Sequence, residues 1–386
     1  MIEVADIFQQ YGPAYRNQHS LSPNQGKAMK AIEMCRTSQL GGHVDQCGEC
    51  GHTKISYNSC RNRHCPKCQN LPKERWLEDR KQDLLPIAYF HVVFTLPDDL
   101  NAIALQNQQE VYNLLFRASA ETLQELTRDC SYLGAEIGFI SILHTWGQNL
   151  MYHPHVHCIV TGGGLSLDGT TQWVASKPTF FLPVKVMSRL FRGKFLAHFK
   201  KSKLYGSTTK TKDGQKFSTL LTSLYNKEWV VYCKPPFQSP EHVLSYLGRY
   251  THKVAISNHR ICGMDDGKVT FKWRDYKDGR RNKEMTIEAI EFIRRFLLHI
   301  LPSGFIKIRH YGILSHRNKT KLRSCQTLLG VSKIAKSKEK ESWSDLFFRI
   351  TKKDPSICPV CQKGHMSLKQ TLPLQRPSPY LWKKVS

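Results

Sequence analysis

Apolar residues fall into a few dense runs between residues 86 and 301. Residues 88–96 (AYFHVVFTL) are rich in β-branched and aromatic side chains and closed by Pro97, which predicts a buried strand. Residues 137–145 (IGFISILHT) and 155–161 (HVHCIVT) predict a second and a third, the last ending in Gly162-Gly163-Gly164. Residues 229–233 and 268–273 add two more. Between these runs the period lengthens. Leu/Val/Ala spacing from Asp98–Asp99 to about Cys130 predicts a helix, as does the pattern across 286–301. Ser239-Pro240-Glu241 combines an N-cap residue, a proline at the first helical position and an early acid, so a further helix starts there. Strands crossed by helices predict an α+β domain over residues 86–301. Residues 1–85 show little apolar periodicity beyond a helix-like stretch at 27–35, and residues 200–216 read as a basic exposed loop. Residues 302–386 form a basic C-terminal segment with a late Cys pair.

Composition changes the picture by adding a partner. The 386 residues carry 57 Lys+Arg against 31 Asp+Glu, a formal charge of +26. Residues 1–150 hold 14 basic and 16 acidic side chains, so residues 151–386 carry the whole excess, +28. Such a charge points to a polyanion, because Lys and Arg that neutralise phosphates release condensed counterions. No apolar run approaches 18 residues and no basic-then-apolar segment opens the chain, so no membrane span or secretory signal is expected. The expected setting is cytoplasmic and nucleoid-associated, where clustered cysteines mean metal chemistry more often than disulfides.

Thirteen cysteines are unevenly spread. Cys47-Gly-Glu-Cys50 and Cys65-Pro-Lys-Cys68 are two C-x2-C pairs with 14 residues between them. Each can present two thiolates from a tight knuckle, and together they predict one tetrahedral structural Zn²⁺ site. Cys35, His43, Cys60 and His64 could hold a second zinc, although surface histidines and a core cysteine would look the same. A domain this poor in core residues needs such a staple. Arg61, Arg63 and Lys67 are threaded among the ligands, which suits phosphate contacts or plain solvation. Cys358-Pro-Val-Cys361 repeats the knuckle once and is half a site. The single cysteines Cys130, Cys158, Cys233, Cys262 and Cys325 read as small buried hydrophobes.

His153-Pro-His155-Val-His157 sits in an otherwise apolar strand. Alternate side chains of a strand share a face, so His155 and His157 can chelate one cation. Three buried imidazoles would otherwise each need a polar partner. His144, on the preceding strand, is the preferred third ligand. Tyr246-Leu-Gly-Arg-Tyr250 lies on the helix opened by Ser239-Pro240, with its two phenols on nearly one face. The apolar stripe there is Val243, Leu244 and Leu247. At 100° per residue Tyr246 lies about 105° from its centre and Tyr250 about 65°. Tyr246 is therefore expected to flank the stripe and be free to reach a substrate. A tyrosine oxygen can attack a metal-activated phosphate and keep the bond as a phosphotyrosine. Arg249 could neutralise that phosphate or be solvated.

These stretches together resemble the two-tyrosine rolling-circle insertion-sequence transposases of the His-hydrophobe-His single-strand nuclease superfamily. The resemblance is carried by GGHVDQCGECGH, CRNRHCPKC, HTWGQNLMYHPHVHC, YLGRYTHKVAISNHR, RHYGILSHRN and CPVC, from about residue 20 to 365. It implies a small zinc-binding domain before a nuclease domain of ferredoxin-like, RRM-like topology. It implies that His155 and His157 bind Mg²⁺ or Mn²⁺ and that Tyr246 and Tyr250 act as successive nucleophiles on single-stranded DNA at element ends and target. No G-x-x-x-x-G-K-[ST] is present, so unwinding would fall to a host helicase. Two other readings compete. One is a non-catalytic zinc-dependent DNA-binding protein derived from a transposase. The other is a nucleotide hydrolase with a His-x-His-x-His strand, from which Pro154 departs.

Overall fold

The computed structural model describes residues 2–179, 181–204, 214–237, 239–251, 255–275, 278–331 and 341–375. Contacts divide the chain into two compact units, each discontinuous in sequence. One comprises residues 76–251 and 301–334; the other comprises 1–75, 252–300 and 335–386. The divisions between them fall at residues 75/76, 251/252, 300/301 and 334/335.

The first unit is built on an antiparallel sheet that takes four of the five predicted runs, the one at 268–273 belonging to the other unit. Its strands are Tyr89–Thr95, Ala135–Trp146, Tyr152–Ser166 and Val231–Phe237, with Ile308–Gly312 added at one edge and the short Trp173–Ala175 pairing Tyr152–Ser166. Helix Gln108–Arg128 separates the first and second of the four, and helix Val184–Lys200 the third and fourth. Numbered in chain order, those four lie 4-1-3-2 across the sheet, all antiparallel. A β-α-β-β-α-β chain in that order is the ferredoxin-like arrangement. The protein is therefore α+β, as its patterning predicts.

Strands buried on both faces explain why these runs are apolar almost throughout. On one face Phe94 packs on Phe191, and Phe191 on Phe195 and Trp229, anchoring helix Val184–Lys200. Full burial of each such ring contributes about 1.5–3 kcal/mol. On the other face Tyr89, Ile140, Ile142 and Ile159 meet Leu84, Leu85, Val243, Leu247 and Ile313. The expected single helix from residue 98 to 130 is interrupted at Asn107, whose φ of −130° and ψ of 45° separate Asn101–Gln106 from Gln108–Arg128. Residues 205–213, the core of the predicted basic loop, lie outside the described residues.

The second unit begins with two helices. Val4–Gln18 escapes the sequence reading, and Pro23–Glu33 is the helix-like stretch, opened by a capping box between Ser22 and Gln25. Gly42–Cys47 forms the centre of a three-stranded sheet, with Thr53–Tyr57 on one side and Met366–Leu372 on the other. Ile261–Asp265, Lys268–Asp275 and Arg281–Glu288 form a second antiparallel sheet. The helix expected from residue 286 starts at Ala289 instead. Thr286 to Glu288 pair with Thr270 to Lys268, so cross-strand bonding claims the first turn. Phe296 of that helix packs edge-on against Phe8, with ring centroids 5.2 Å apart. Of the single cysteines only Cys158 and Cys325 are buried; Cys233 is half-buried, and Cys130 and Cys262 are exposed. A loop or edge position decides exposure more than residue type does.

Gly312 closes the edge strand with φ +57°, and a Cβ there would stand 1.8 Å from the Ile137 carbonyl oxygen. A glycine is required by both the close approach and the left-handed backbone. Gly312→Ala is therefore expected to lower stability by at least about 2 kcal/mol, read as a fall in the midpoint of chemical unfolding. An unchanged midpoint would contradict this packing.

Candidate active site and cysteine clusters

Register brings the histidines together. Tyr152–Ser166 pairs with Tyr89–Thr95 so that His157 faces Val93 and Ile159 faces His91. Its other neighbour sets His155 opposite His144 and His157 opposite Ile142. Cross-strand partners share a face, so His91, His144, His155 and His157 all project on the side that carries the tyrosine helix. Ligand nitrogens of His144, His155 and His157 lie within 4.8 Å of one another. Their rings are 4.4 Å apart for His144 and His157 and 4.8 Å for His155 and His157. His153 is half-buried and stands 3.7 Å from Asp98.

Hydrogen bonds fix how two rings are turned. Nδ1 of His155 lies 2.6 Å from the His153 carbonyl oxygen and must donate to it, which leaves Nε2 with its lone pair. Nδ1 of His157 lies 2.8 Å from Nε2 of His91. Burial pushes His91 down to about 3 and His155 down to about 4, and with the neighbouring His144 it holds His157 well below the usual imidazole range. These three rings are neutral at pH 7, the form that coordinates metal. A three-imidazole set with open positions fits a divalent cation.

Tyr246 reaches the same cluster. Its helix, Pro240–Tyr250, starts where Ser239 Oγ accepts from the His242 N–H. The phenol oxygen is 2.8 Å from His91 Nε2 and 3.2 Å from His157 Nδ1. The side chain is only 6% exposed and packs against Phe237, ring centroids 5.1 Å apart. The expectation of a flanking, freely accessible Tyr246 is corrected by this burial. Val243 and Leu247 are buried and Leu244 only partly, so the inward stripe runs through 243, 246 and 247. The helix covers a sheet face that carries imidazoles as well as aliphatics, and a phenol satisfies both. The side chains of Arg249 and Tyr250 lie outside the described residues.

Two residues escaped the sequence reading. His91 was visible as the one imidazole inside AYFHVVFTL, where an unpartnered ring would be costly. Lys234 pairs across strands with His91, and its charge contributes to the lowering of His91 and His157. Nothing in the local sequence of Lys234 distinguishes it.

The cysteines group differently from the expected pairing of the two N-terminal C-x2-C motifs. Cys65 and Cys68 meet Cys35 and Cys60, with sulfur separations of 3.5–3.6 Å. Cys47 and Cys50 meet Cys358 and Cys361 instead, each at 3.7 Å from its opposite number. Four thiolates at about 2.3 Å from zinc stand about 3.8 Å apart, so both clusters have the size of a four-cysteine zinc site. Neither His43 nor His64 joins them. His43 lies 3.3 Å from an Asp45 carboxylate oxygen, and buried His64 is tied through both backbone N–H and Nδ1 to Asn62. Hydrogen bonds from Cys60 and Cys65 draw the Cys35 thiol down to about 7. Of the basic side chains in this stretch, Arg61 is exposed, Arg63 is half-buried with burial pulling it down, and Lys67 is paired with Glu3.

This pairing of an imidazole–tyrosine cluster with cysteine clusters defines a class that the comparisons identify. Residues 7–96 match the model of the IS91-type transposase zinc-binding domain, and residues 138–321 match the Y2 family described as "Putative transposase". A Sinorhizobium fredii protein named "Putative transposase y4qJ" is 54% identical over 374 residues, 94% of each chain. The "Transposase for insertion sequence element IS801" of Pseudomonas savastanoi pv. phaseolicola is 28% identical over 298 residues, 73% of this chain and 68% of that protein. The chain belongs to this transposase family. No solved structure matches it. Among the described residues no helix is long and apolar enough to cross a membrane.

Depressed histidines also set an acid limit. His310, on the edge strand and outside the cluster, is pulled down to about 4 by burial and by Arg80. Its folded pKa lies below the ordinary 6.5, so the unfolded chain takes up the proton first, and stability falls as pH drops from about 6.5 towards 4. His310→Gln should lose less melting temperature than the parent between those limits. Parallel Tm–pH curves would refute the assignment.

Proposed function

We propose that this transposase cuts and rejoins single-stranded DNA through a phosphotyrosine. The observation that carries the reading is the Tyr246 phenol oxygen, 2.8 and 3.2 Å from imidazoles at the edge of a three-histidine cluster. His144, His155 and His157 would hold Mg²⁺ or Mn²⁺. A divalent cation there supplies charge to a non-bridging phosphate oxygen and so favours attack at phosphorus.

The protein's own groups do the rest. Tyr246 oxygen attacks the scissile phosphorus, the P–O3′ bond breaks, and the phenol's proton is balanced by the one gained at the freed 3′ hydroxyl. The 5′ phosphate stays on the tyrosine, so no external energy source is consumed. Tyr250, one helical turn on, would take the second phosphate, and attack by a 3′ hydroxyl on either adduct would join strands. His91 is a positioning residue: it touches both the phenol and the ring of His157. Lys234 and Arg249 would offset phosphate charge, and the excess of Lys and Arg beyond residue 150 would hold the strand. Arg61, Arg63 and Lys67 would add backbone contacts from the zinc-binding domain, although Lys67 must first release Glu3. A host helicase would supply the single strand, and the nucleoid is the proposed place of action.

Incubation with single-stranded DNA from the element ends and Mn²⁺ should give a protein–DNA adduct that survives SDS. Tyr246→Phe with Tyr250→Phe should abolish it, and an adduct that persists in that double variant ends the proposal. His155→Ala with His157→Ala should cut the rate by at least about 100-fold. His91→Ala should lose at least about 10-fold, with partial rescue by His91→Asn, whose amide can still bond the phenol. Equal activity of His91→Ala and parent would remove His91 from the site.

A further inference from the structure

Cys47 and Cys50 belong to the N-terminal zinc-binding match, but Cys358 and Cys361 lie beyond both family matches. The sulfurs that meet are separated by 308 and 314 residues in sequence. Chance proximity of thiols would not reproduce backbone geometry, and here the two halves are built alike. In each, the residue after the second cysteine closes the turn onto the carbonyl of the first: Gly51 N–H to Cys47 at 3.2 Å, and Gln362 N–H to Cys358 at 3.0 Å. Both closing residues have left-handed backbone, φ +70° for Gly51 and +55° for Gln362. A non-glycine residue held there needs a compensating interaction.

Each knuckle then leads into a strand, Thr53–Tyr57 and Met366–Leu372, and the two strands flank Gly42–Cys47. The registry runs up to the cluster itself, since Cys47 pairs with Met366 and Gly48 N–H donates to the His365 carbonyl at 3.2 Å. Gly364 is fitted against the site: a Cβ there would stand 2.5 Å from the Cys47 sulfur. The Gly364 N–H donates to Cys361 Sγ at 3.4 Å. Backbone N–H groups turned towards sulfur are what a thiolate–zinc knuckle requires.

We propose that Cys47, Cys50, Cys358 and Cys361 form a second structural Zn²⁺ site, which makes the C-terminal segment an integral half of the zinc-binding domain. The full chain then carries two zinc ions, one in this site and one among Cys35, Cys60, Cys65 and Cys68. The exposed Cys50 and half-buried Cys361 would be shielded from alkylation by metal rather than by protein.

The test uses the full chain purified with zinc. Elemental analysis and native mass spectrometry of a His155→Ala/His157→Ala chain, whose imidazole cluster can no longer take zinc, should give two zinc ions, falling to one when Cys358→Ser/Cys361→Ser is added. Iodoacetamide mapping of the parent needs no variant. Cys130 and Cys262, both exposed, should react at once and report that the reagent works. Cys50 and Cys361 should stay at least about 10-fold less reactive until a chelator is added, then become reactive together. Gly364→Ala, which keeps all four ligands, should release this zinc selectively at chelator concentrations the parent resists. One zinc in the His155→Ala/His157→Ala chain, two after Cys358→Ser/Cys361→Ser is added to it, or Cys361 reacting as fast as Cys262 before chelation would each overturn the proposal. Loss of DNA cleavage in any variant has no bearing on it, so its failure is separable from that of the phosphotyrosine scheme.

Discussion

The register of one strand governs the half of this molecule that carries the imidazole cluster. Tyr152–Ser166 is bonded on both sides, and a slip of one residue against either neighbour would turn His155 and His157 to the opposite face. Nothing about the imidazoles themselves prevents such a slip. It is prevented by Val156, Cys158 and Val160, which the same slip would drive out of the aromatic core under helices Gln108–Arg128 and Val184–Lys200. Packing on the far side of the sheet thus sets the geometry of the polar cluster on the near side.

Most polar atoms of this buried cluster are satisfied within it, although His91 Nδ1 is buried without a hydrogen-bond partner among the described residues. His155 leans on a backbone carbonyl, His157 on His91, and the Tyr246 phenol on both His91 and His157. In low dielectric such contacts are strong and a missing partner is costly. The same desolvation keeps the imidazoles neutral, so the environment that makes them expensive to bury also makes them ready to coordinate.

Much of this was legible before the structure. The strand runs, the Ser239-Pro240 helix start and the clustering of His144 with His155 and His157 follow from period and spacing. What was not legible depends on contacts between distant segments. The helical wheel placed Tyr246 beside its stripe because the apolar centre was drawn from Val243, Leu244 and Leu247 alone. The sheet face it packs on carries histidines, so the true stripe includes a phenol. His91 looked like one more residue of a buried strand until its cross-strand neighbours were known. The cysteine spacing revealed knuckles but not partners, because a C-x2-C turn defines only half a tetrahedron. Proximity in sequence favoured joining residues 47–50 with 65–68, and a strand pairing more than 300 residues away decided otherwise.

That pairing has a temporal side. A ribosome makes Cys47 and Cys50 long before Cys358 and Cys361, so for most of synthesis the N-terminal hairpin of Gly42–Cys47 and Thr53–Tyr57 has an open sheet edge. The central strand gains its second neighbour only when residues 366–372 have emerged. A chain ended early, by a frameshift or a nonsense codon, would keep the histidines and the tyrosine helix yet lack the outer strand of that sheet. For a protein that acts on DNA, an architecture that pairs residues 42–47 with 366–372 ties completion of one structural unit to synthesis of a segment more than 300 residues later.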